Sequence, residues 1–222
     1  MAERVGHSRA VEDYLKAIYK LQREGGPAPT TLLAAELGRS PASVTNMVKN
    51  LAAQGLVAHV PYHGVRLTEP GETAALRIIR RHRVIESYLI ERLGFTWDSV
   101  HEEAERLEHA ASDLLIDRMA VAVGDPDTDP HGAPIPGSDG TIRDRDLTAL
   151  SDLPTGSVAV IREVSDDDSE RLRFLGDNGF LLGTAVTVLS ASADGGDVVA
   201  EVGGRRHRLA GDLAAAIRVE PA

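Results

Sequence analysis

The chain has 222 residues, with 34 Asp and Glu against 24 Lys and Arg, a formal net charge of −10, 8 histidines and no cysteine. That length supports more than one apolar core, and the missing thiol excludes disulfides, iron–sulfur clusters, thiol nucleophiles and cysteine-built zinc sites. No apolar run reaches the roughly 18 residues of a membrane span, and the start MAERVGHSRA lacks the core of a signal peptide, so a soluble, cytoplasmic protein is expected. An acidic total argues against a nucleic-acid partner, but the charge is unevenly spread. Residues 1–80 carry 10 Lys and Arg against 7 Asp and Glu, a net of +3, while residues 81–222 carry 14 against 27, a net of −13.

The first 70 or so residues read as three helices and a hairpin. Over 8–24, Tyr14, Leu15, Ile18, Tyr19 and Leu21 share one helical face, and Gly25-Gly26 stops the helix. Thr30 and Thr31 open a short helix ending at Gly38. Ser40-Pro41 then provides an N-cap and a proline at the first helical position for a third helix, running to about Gln54. The segment LVAHVPYHGVRLTE gives two short β-rich runs around a Tyr-His-Gly turn. Three helices and a hairpin are the pattern of a winged helix-turn-helix, whose third helix enters the major groove of DNA. Val44, Met47, Val48 and Leu51 face inward, which leaves Arg39, Ser40, Ser43, Thr45, Asn46 and Lys49, with Arg66 beside the hairpin, as the DNA-facing candidates. Hydroxyls and cations meet phosphates, and Asn46 can reach a base edge.

Pro70 starts the longest helical pattern, to about Leu93; another helix follows from Thr96 or Asp98 through about Ala111, and Ser112 caps a shorter one to Val123. The run GDPDTDPHGAPIPGSDG reads as a linker with local turns. From about Leu153 the runs SVAVIREV, AVTVLSA, DVVAEV, RRHRLA and AIRV, with one short helix near 168–178, predict a small β-barrel of about 70 residues. The fold class expected is mainly α with a C-terminal small β-barrel.

Within HEEAERLEH, His101, Glu105, Glu108 and His109 fall on one helical stripe, next to an apolar face of Val100, Ala104, Leu107 and Ala111. His82 and Glu86 share a face of the preceding helix at an i, i+4 spacing, and the first helix adds Glu12 and Asp13. Imidazoles and carboxylates beside a buried face make a divalent-metal platform; the same residues also suit a solvated helix face. No separate nucleophile, phosphate loop or catalytic motif accompanies them, so the reading is not an enzyme. A metalloenzyme, and a winged-helix regulator sensing an organic ligand, are the readings from other classes.

Several segments together resemble the diphtheria-toxin-repressor/manganese-transport-regulator family of metal-dependent transcriptional repressors. They are VEDYLKAIYKL (11–21), SPASVTNMVKNLAAQGLV (40–57), YHGVRLTEPG (62–71), RRHRVIESYL (80–89), VHEEAERLEHAASD (100–113) and PHGAPIPG (130–137), in family order. The last 70 residues are similar to the family's SH3-like, FeoA-type domain. The resemblance implies a winged helix-turn-helix over 1–72, a helical metal-binding and dimerisation domain over 73–140, a linker over 141–152 and the SH3-like domain over 153–222. It implies a primary metal site of Asp13, Glu105, Glu108 and His109, and an ancillary site of His82, Glu86, His101, Asp167 and Glu170. Iron-type members carry methionine and cysteine where this chain has Asp13 and Glu105; manganese-type members have carboxylates, so Mn(II) is the expected cofactor, with Fe(II) and Co(II) as alternatives. Short manganese-type members place a glutamate at the position of Lys16 to build a binuclear centre, and a charged ammonium is no ligand. The partners implied are double-stranded palindromic operator DNA and a second copy of the chain, with no membrane and no organic substrate. The function implied is repression of manganese-uptake genes, with an iron-dependent repressor as the nearest alternative.

Overall fold

The computed structural model describes residues 7–60, 62–143, 145–192 and 196–221. Residues 1–6, part of the start MAERVGHSRA, and Pro61, in the hairpin, lie outside these segments. The described residues fall into two compact units, one drawn from 1–82, 108–111 and 136–142, the other from 83–107, 112–135 and 143–222.

The first unit holds α1 (Arg9–Gly25), α2 (Thr30–Glu36), α3 (Pro41–Ala53), β1 (Val57–Val60), β2 (Gly64–Leu67) and the first turns of α4 (Glu69–Leu93). α3 starts where its cap chemistry demands: Ser40 Oγ accepts from the Ser43 backbone N–H at 3.3 Å and Pro41 occupies the first turn. Tyr14, Leu15 and Ile18 of α1 pack with Leu33, Val44, Leu51 and Val65, and with Leu76 and Ile79 of α4, into one core. The hairpin pairs antiparallel from Val57 opposite Leu67 to Val60 opposite Gly64. Ala28 joins its edge through two backbone bonds with Val65, of 2.8 and 3.0 Å. Gly64 has φ +116°, and a Cβ there would lie 2.1 Å from the Ala28 carbonyl oxygen, so only glycine lets the wing approach so closely.

The second unit holds the rest of α4, α5 (Val100–Leu107), α6 (Asp113–Ala122), β3 (Thr148–Ala149), a 3-10 turn (Leu150–Asp152), β4 (Val158–Val164), α7 (Ser169–Asp177), β5 (Ala185–Ala191), β6 (Val198–Val202), β7 (Arg205–Leu209), α8 (Gly211–Ala215) and β8 (Ile217–Pro221). Its strands alternate buried and open positions, and Ile161, Leu172, Phe180, Val186 and Val188 form a second core on which Trp97 packs. Among the described residues, no helix is long and apolar enough to cross a membrane.

Among the described residues the expected β-barrel does not form. Their six strands make an open antiparallel sheet in the order β3-β8-β4-β5-β6-β7, whose edges, β3 and β7, do not pair with each other. β3 is only two residues long, too short to receive a five-residue partner, and β7 exposes Arg205, Arg206 and Arg208, a charged edge that discourages further pairing. Register shifts between Ile161 and Glu163, and between Val188 and Ser190, bend the sheet around its core without closing it. An open curled sheet and a barrel both bury one face, so alternation in the sequence does not distinguish them.

Candidate metal centre

Within the first unit, α1 presents Glu12 and Asp13, α4 presents Arg81 and His82, and the turn at 108–111 presents Glu108 and His109. The helix expected through Ala111 stops at Leu107, whose side chain is exposed and does not join the apolar face. Asp13, Glu108 and His109 each place a ligand atom within 4.8 Å of the others. Glu108 is fully buried. His109 Nδ1 lies 2.7 Å from Glu12 Oε2, and Glu12 Oε1 lies 3.7 Å from Arg81. A carboxylate that accepts a hydrogen bond from Nδ1–H fixes the tautomer with its lone pair on Nε2, as it does for metal-bound histidines. That Nε2 is buried, 2.9 Å from Asp13 Oδ1 and 3.4 Å from Glu108 Oε1, and is aligned for a hydrogen bond with no described group. Three electron-pair donors therefore converge, an arrangement that a divalent cation satisfies. Glu105, the fourth residue of the expected primary set, belongs to the second unit; it lies on α5, half-buried, 3.9 Å from His101 Nε2.

Glu108 has further neighbours in the first unit. Its Oε2 is 2.5 Å from His82 Nδ1 and 3.0 Å from Lys16 Nζ, its Oε1 is 3.2 Å from the same ammonium, and Lys16 Nζ is 3.2 Å from His82 Nδ1.

A second cluster lies within the second unit. Glu86, Asp129 and His131 are all buried and offer ligand atoms within 4.8 Å of one another. Asp129 Oδ1 accepts from the backbone N–H groups of His131 and Ala133, both at 2.9 Å, while Oδ2 lies 3.3 Å from Arg83 Nε. His131 Nε2 donates to the Trp97 carbonyl at 2.8 Å, its ring stacks on Trp97, and its Nδ1 lies 3.7 Å from Glu86 Oε2. His101 Nδ1 sits 3.3 Å from both Glu86 Oε1 and Asp166 Oδ2. Burial works against protonation of both imidazoles, but the Asp166 and Glu86 carboxylates outweigh it and raise His101 to about 10. Glu86 is the main carboxylate that raises His131, to about 9. Burial pushes Asp129 up to about 7 against the pull of the Arg83 guanidinium. Without metal, the imidazolium protons offset buried carboxylate charge that a divalent cation would otherwise meet.

Of the expected ancillary residues, Glu86 and His101 meet in this unit, whereas His82 lies in the first. Of the C-terminal carboxylates, Asp166 is the one beside His101; Asp167 is exposed and accepts from the Ser165 hydroxyl at 2.7 Å, and Glu170 is exposed on the first turn of α7. Asp129 and His131 went unseen in the sequence because they sit in the run read as a linker. The usable signal was D-x-H, a spacing that lets an aspartate cap the backbone N–H two residues on. Arg39, Ser40, Ser43, Thr45, Asn46, Lys49 and Arg66 are all exposed, and Val44, Val48 and Leu51 are buried beneath α3.

The sequence matches three domain families along its length: "Iron dependent repressor, N-terminal DNA binding domain" over residues 7–65, "Iron dependent repressor, metal binding and dimerisation domain" over 68–137, and "FeoA domain" over 148–221. It is 31% identical to the iron-dependent repressor IdeR of Mycobacterium leprae, over 94% of this chain and 96% of that protein. It is 32% identical to the diphtheria toxin repressor of Corynebacterium efficiens, over 94% of each. Its fold is similar to a solved manganese-dependent transcriptional repressor in complex with manganese, at a TM-score of 0.89 and 36% identity, covering 96% of this chain and 100% of that one. The chain therefore belongs to the diphtheria-toxin-repressor/manganese-transport-regulator family, metal-activated transcriptional repressors, not enzymes, that bind operator DNA as homodimers and here carry a FeoA domain.

Proposed function

We propose that operator binding by this chain is switched on by Mn(II) held at Asp13, Glu108 and His109, to repress manganese-uptake genes. The observation that carries the reading is the convergence of two carboxylates and one imidazole lone pair in a cluster without sulfur. Oxygen-rich, hard donors suit Mn(II) and give softer, later metals less of their usual advantage. When bound, the metal supplies the positive charge that lets Asp13 and Glu108 stay together. Asp13 stands on α1, whose Tyr14, Leu15 and Ile18 are built into the winged-helix core, so holding Asp13 holds the body that carries α3. Glu12 keeps the His109 ring in register. In a dimer, two such bodies present their α3 helices to major-groove turns about 34–36 Å apart, which suits a palindromic operator. By linkage, operator DNA and metal tighten each other's binding by the same factor. Glu86, Asp129 and His131, with His101 and Asp166, form a second site in this reading.

Iron is the second reading, and the names of the full-length relatives favour it over manganese: both matched repressor domains are named for iron, as is the Mycobacterium leprae relative. Operator-binding titrations with Mn(II), Fe(II) and Co(II) at fixed free-ion concentration decide between them. Mn(II) is expected to raise operator affinity about 10- to 100-fold. A response to Fe(II) without one to Mn(II) would select iron, and metal-independent binding would overturn metal activation altogether. Replacing Asp13 by Met should move activation toward Fe(II), Co(II) or Ni(II); an unchanged ranking would remove the donor-set argument.

A further inference from the structure

We infer that Lys16 is a tethered cation occupying a second cation position on Glu108, so that the Asp13–Glu108–His109 cluster takes one metal ion and not two; this rests on the metal reading above. The Glu108 carboxylate serves two sides. Its Oε1 faces His109 Nε2 at 3.4 Å, on the side of the converging donors. Its Oε2 faces His82 Nδ1 at 2.5 Å, and Lys16 Nζ closes the triangle, 3.0 Å from Oε2 and 3.2 Å from Nδ1, while also reaching Oε1 at 3.2 Å. The ammonium thus meets the pair of donors, one carboxylate oxygen and one imidazole nitrogen, that an additional divalent ion would use. Glu108 and His82 are buried, and Lys16 is about one-fifth exposed, so it reaches a largely enclosed position.

Two positive charges a few ångströms apart repel strongly in so enclosed a place. A second metal would have to displace the ammonium, which is covalently fixed to α1 and does not dissociate when metal is scarce. Metal uptake at this cluster then follows the first power of free-ion concentration. Lys16 also ties α1 to α4 and to the 108–111 turn without any ion.

Metal-free wild-type protein, Lys16→Glu, Lys16→Met and Asp13→Asn are titrated with Mn(II) by calorimetry, and the loaded proteins are read by electron paramagnetic resonance. Wild type should show isolated Mn(II) only, and Asp13→Asn should bind one ion fewer per chain. Lys16→Glu should bind one ion more per chain and show an exchange-coupled pair. Lys16→Met removes the charge without adding a ligand, and decides the matter if Lys16→Glu does not fold. It should admit the extra ion with at least tenfold weaker affinity than the Glu108 cluster's first ion. A coupled pair in wild type, or a wild-type count in every Lys16 variant that folds, would overturn the inference. If Asp13→Asn left the wild-type count unchanged, the site reading would fail and this inference with it; a loss there without a gain in the Lys16 variants would sink only the role of Lys16.

Discussion

Glu108 and Glu86 are both fully buried carboxylates beside histidines, yet their surroundings differ. Around Glu108 the neighbours come from α1, α4 and a short turn, and the Asp13 side chain is about one-third exposed, so one side of the cluster reaches solvent. Around Glu86, Asp129 and His131 are almost completely buried and held by backbone bonds, by the Trp97 ring and by Arg83. Solvent access lets a site follow the free-ion concentration; burial among fixed backbone groups favours retention and local rigidity. In the proposed reading, the Glu108 cluster responds to metal and the Glu86 cluster holds its segment in place, although both use carboxylates and imidazoles.

The largest expected effect breaks the responsive side. Glu108→Gln removes the carboxylate shared by Lys16, His82 and His109, leaving Lys16 without its buried counter-charge. Operator binding should lose its metal response, and the metal-free protein should lose about 3–5 kcal/mol, the usual result of breaking a buried pair. Gel-shift and denaturation curves measure the two effects; retained activation would mean that the switch lies elsewhere. Next comes Gly132→Ala. Gly132 has φ +93°, and a Cβ would fall 2.0 Å from the Arg162 carbonyl oxygen, so the 129–133 segment must shift. A loss of roughly 2–3 kcal/mol is expected, together with weaker metal binding at the Glu86 cluster and unchanged binding at Asp13. Equal damage to both would erase the distinction. The smallest effect is spectroscopic. Trp97 is the only tryptophan and stacks on His131 with ring centroids 5.5 Å apart. Its emission should change as metal fills the Glu86 cluster, should not change after Asp129→Asn plus His131→Phe, and should be indifferent to Asp13→Asn.

The difference between the clusters also explains what was legible in the sequence. Asp13, Glu108 and His109 stand on or next to strongly periodic helices, where spacing and apolar faces mark which side is buried. Ser40-Pro41 likewise announces α3 through cap chemistry that depends on neighbouring residues alone. Asp129 and His131 were hidden because Gly, Pro and Asp mark linkers and tightly packed turns alike; what decides is burial against distant groups such as Arg162 and Trp97. Glu12 was visible as a nearby carboxylate, but its hold on His109 depends on a contact 97 residues away in sequence. The open sheet was illegible for the same reason, since its outcome depends on whether β3 and β7 meet.

The exposed face of α3 carries a serine, a threonine and asparagines with a single lysine, preceded by the cap Ser40 and flanked by Arg39 and Arg66. Phosphate binding by such a face releases few condensed counterions: three cations correspond to a salt slope of about −3 per protomer. One protomer alone therefore gains little from the ionic atmosphere of DNA, and the two halves of a dimer gain most when they engage one site together. Sparse charge on the reading helix thus makes affinity depend on how two protomers are held, the quantity a bound ion can set, and leaves less nonspecific attachment to be undone when the ion departs.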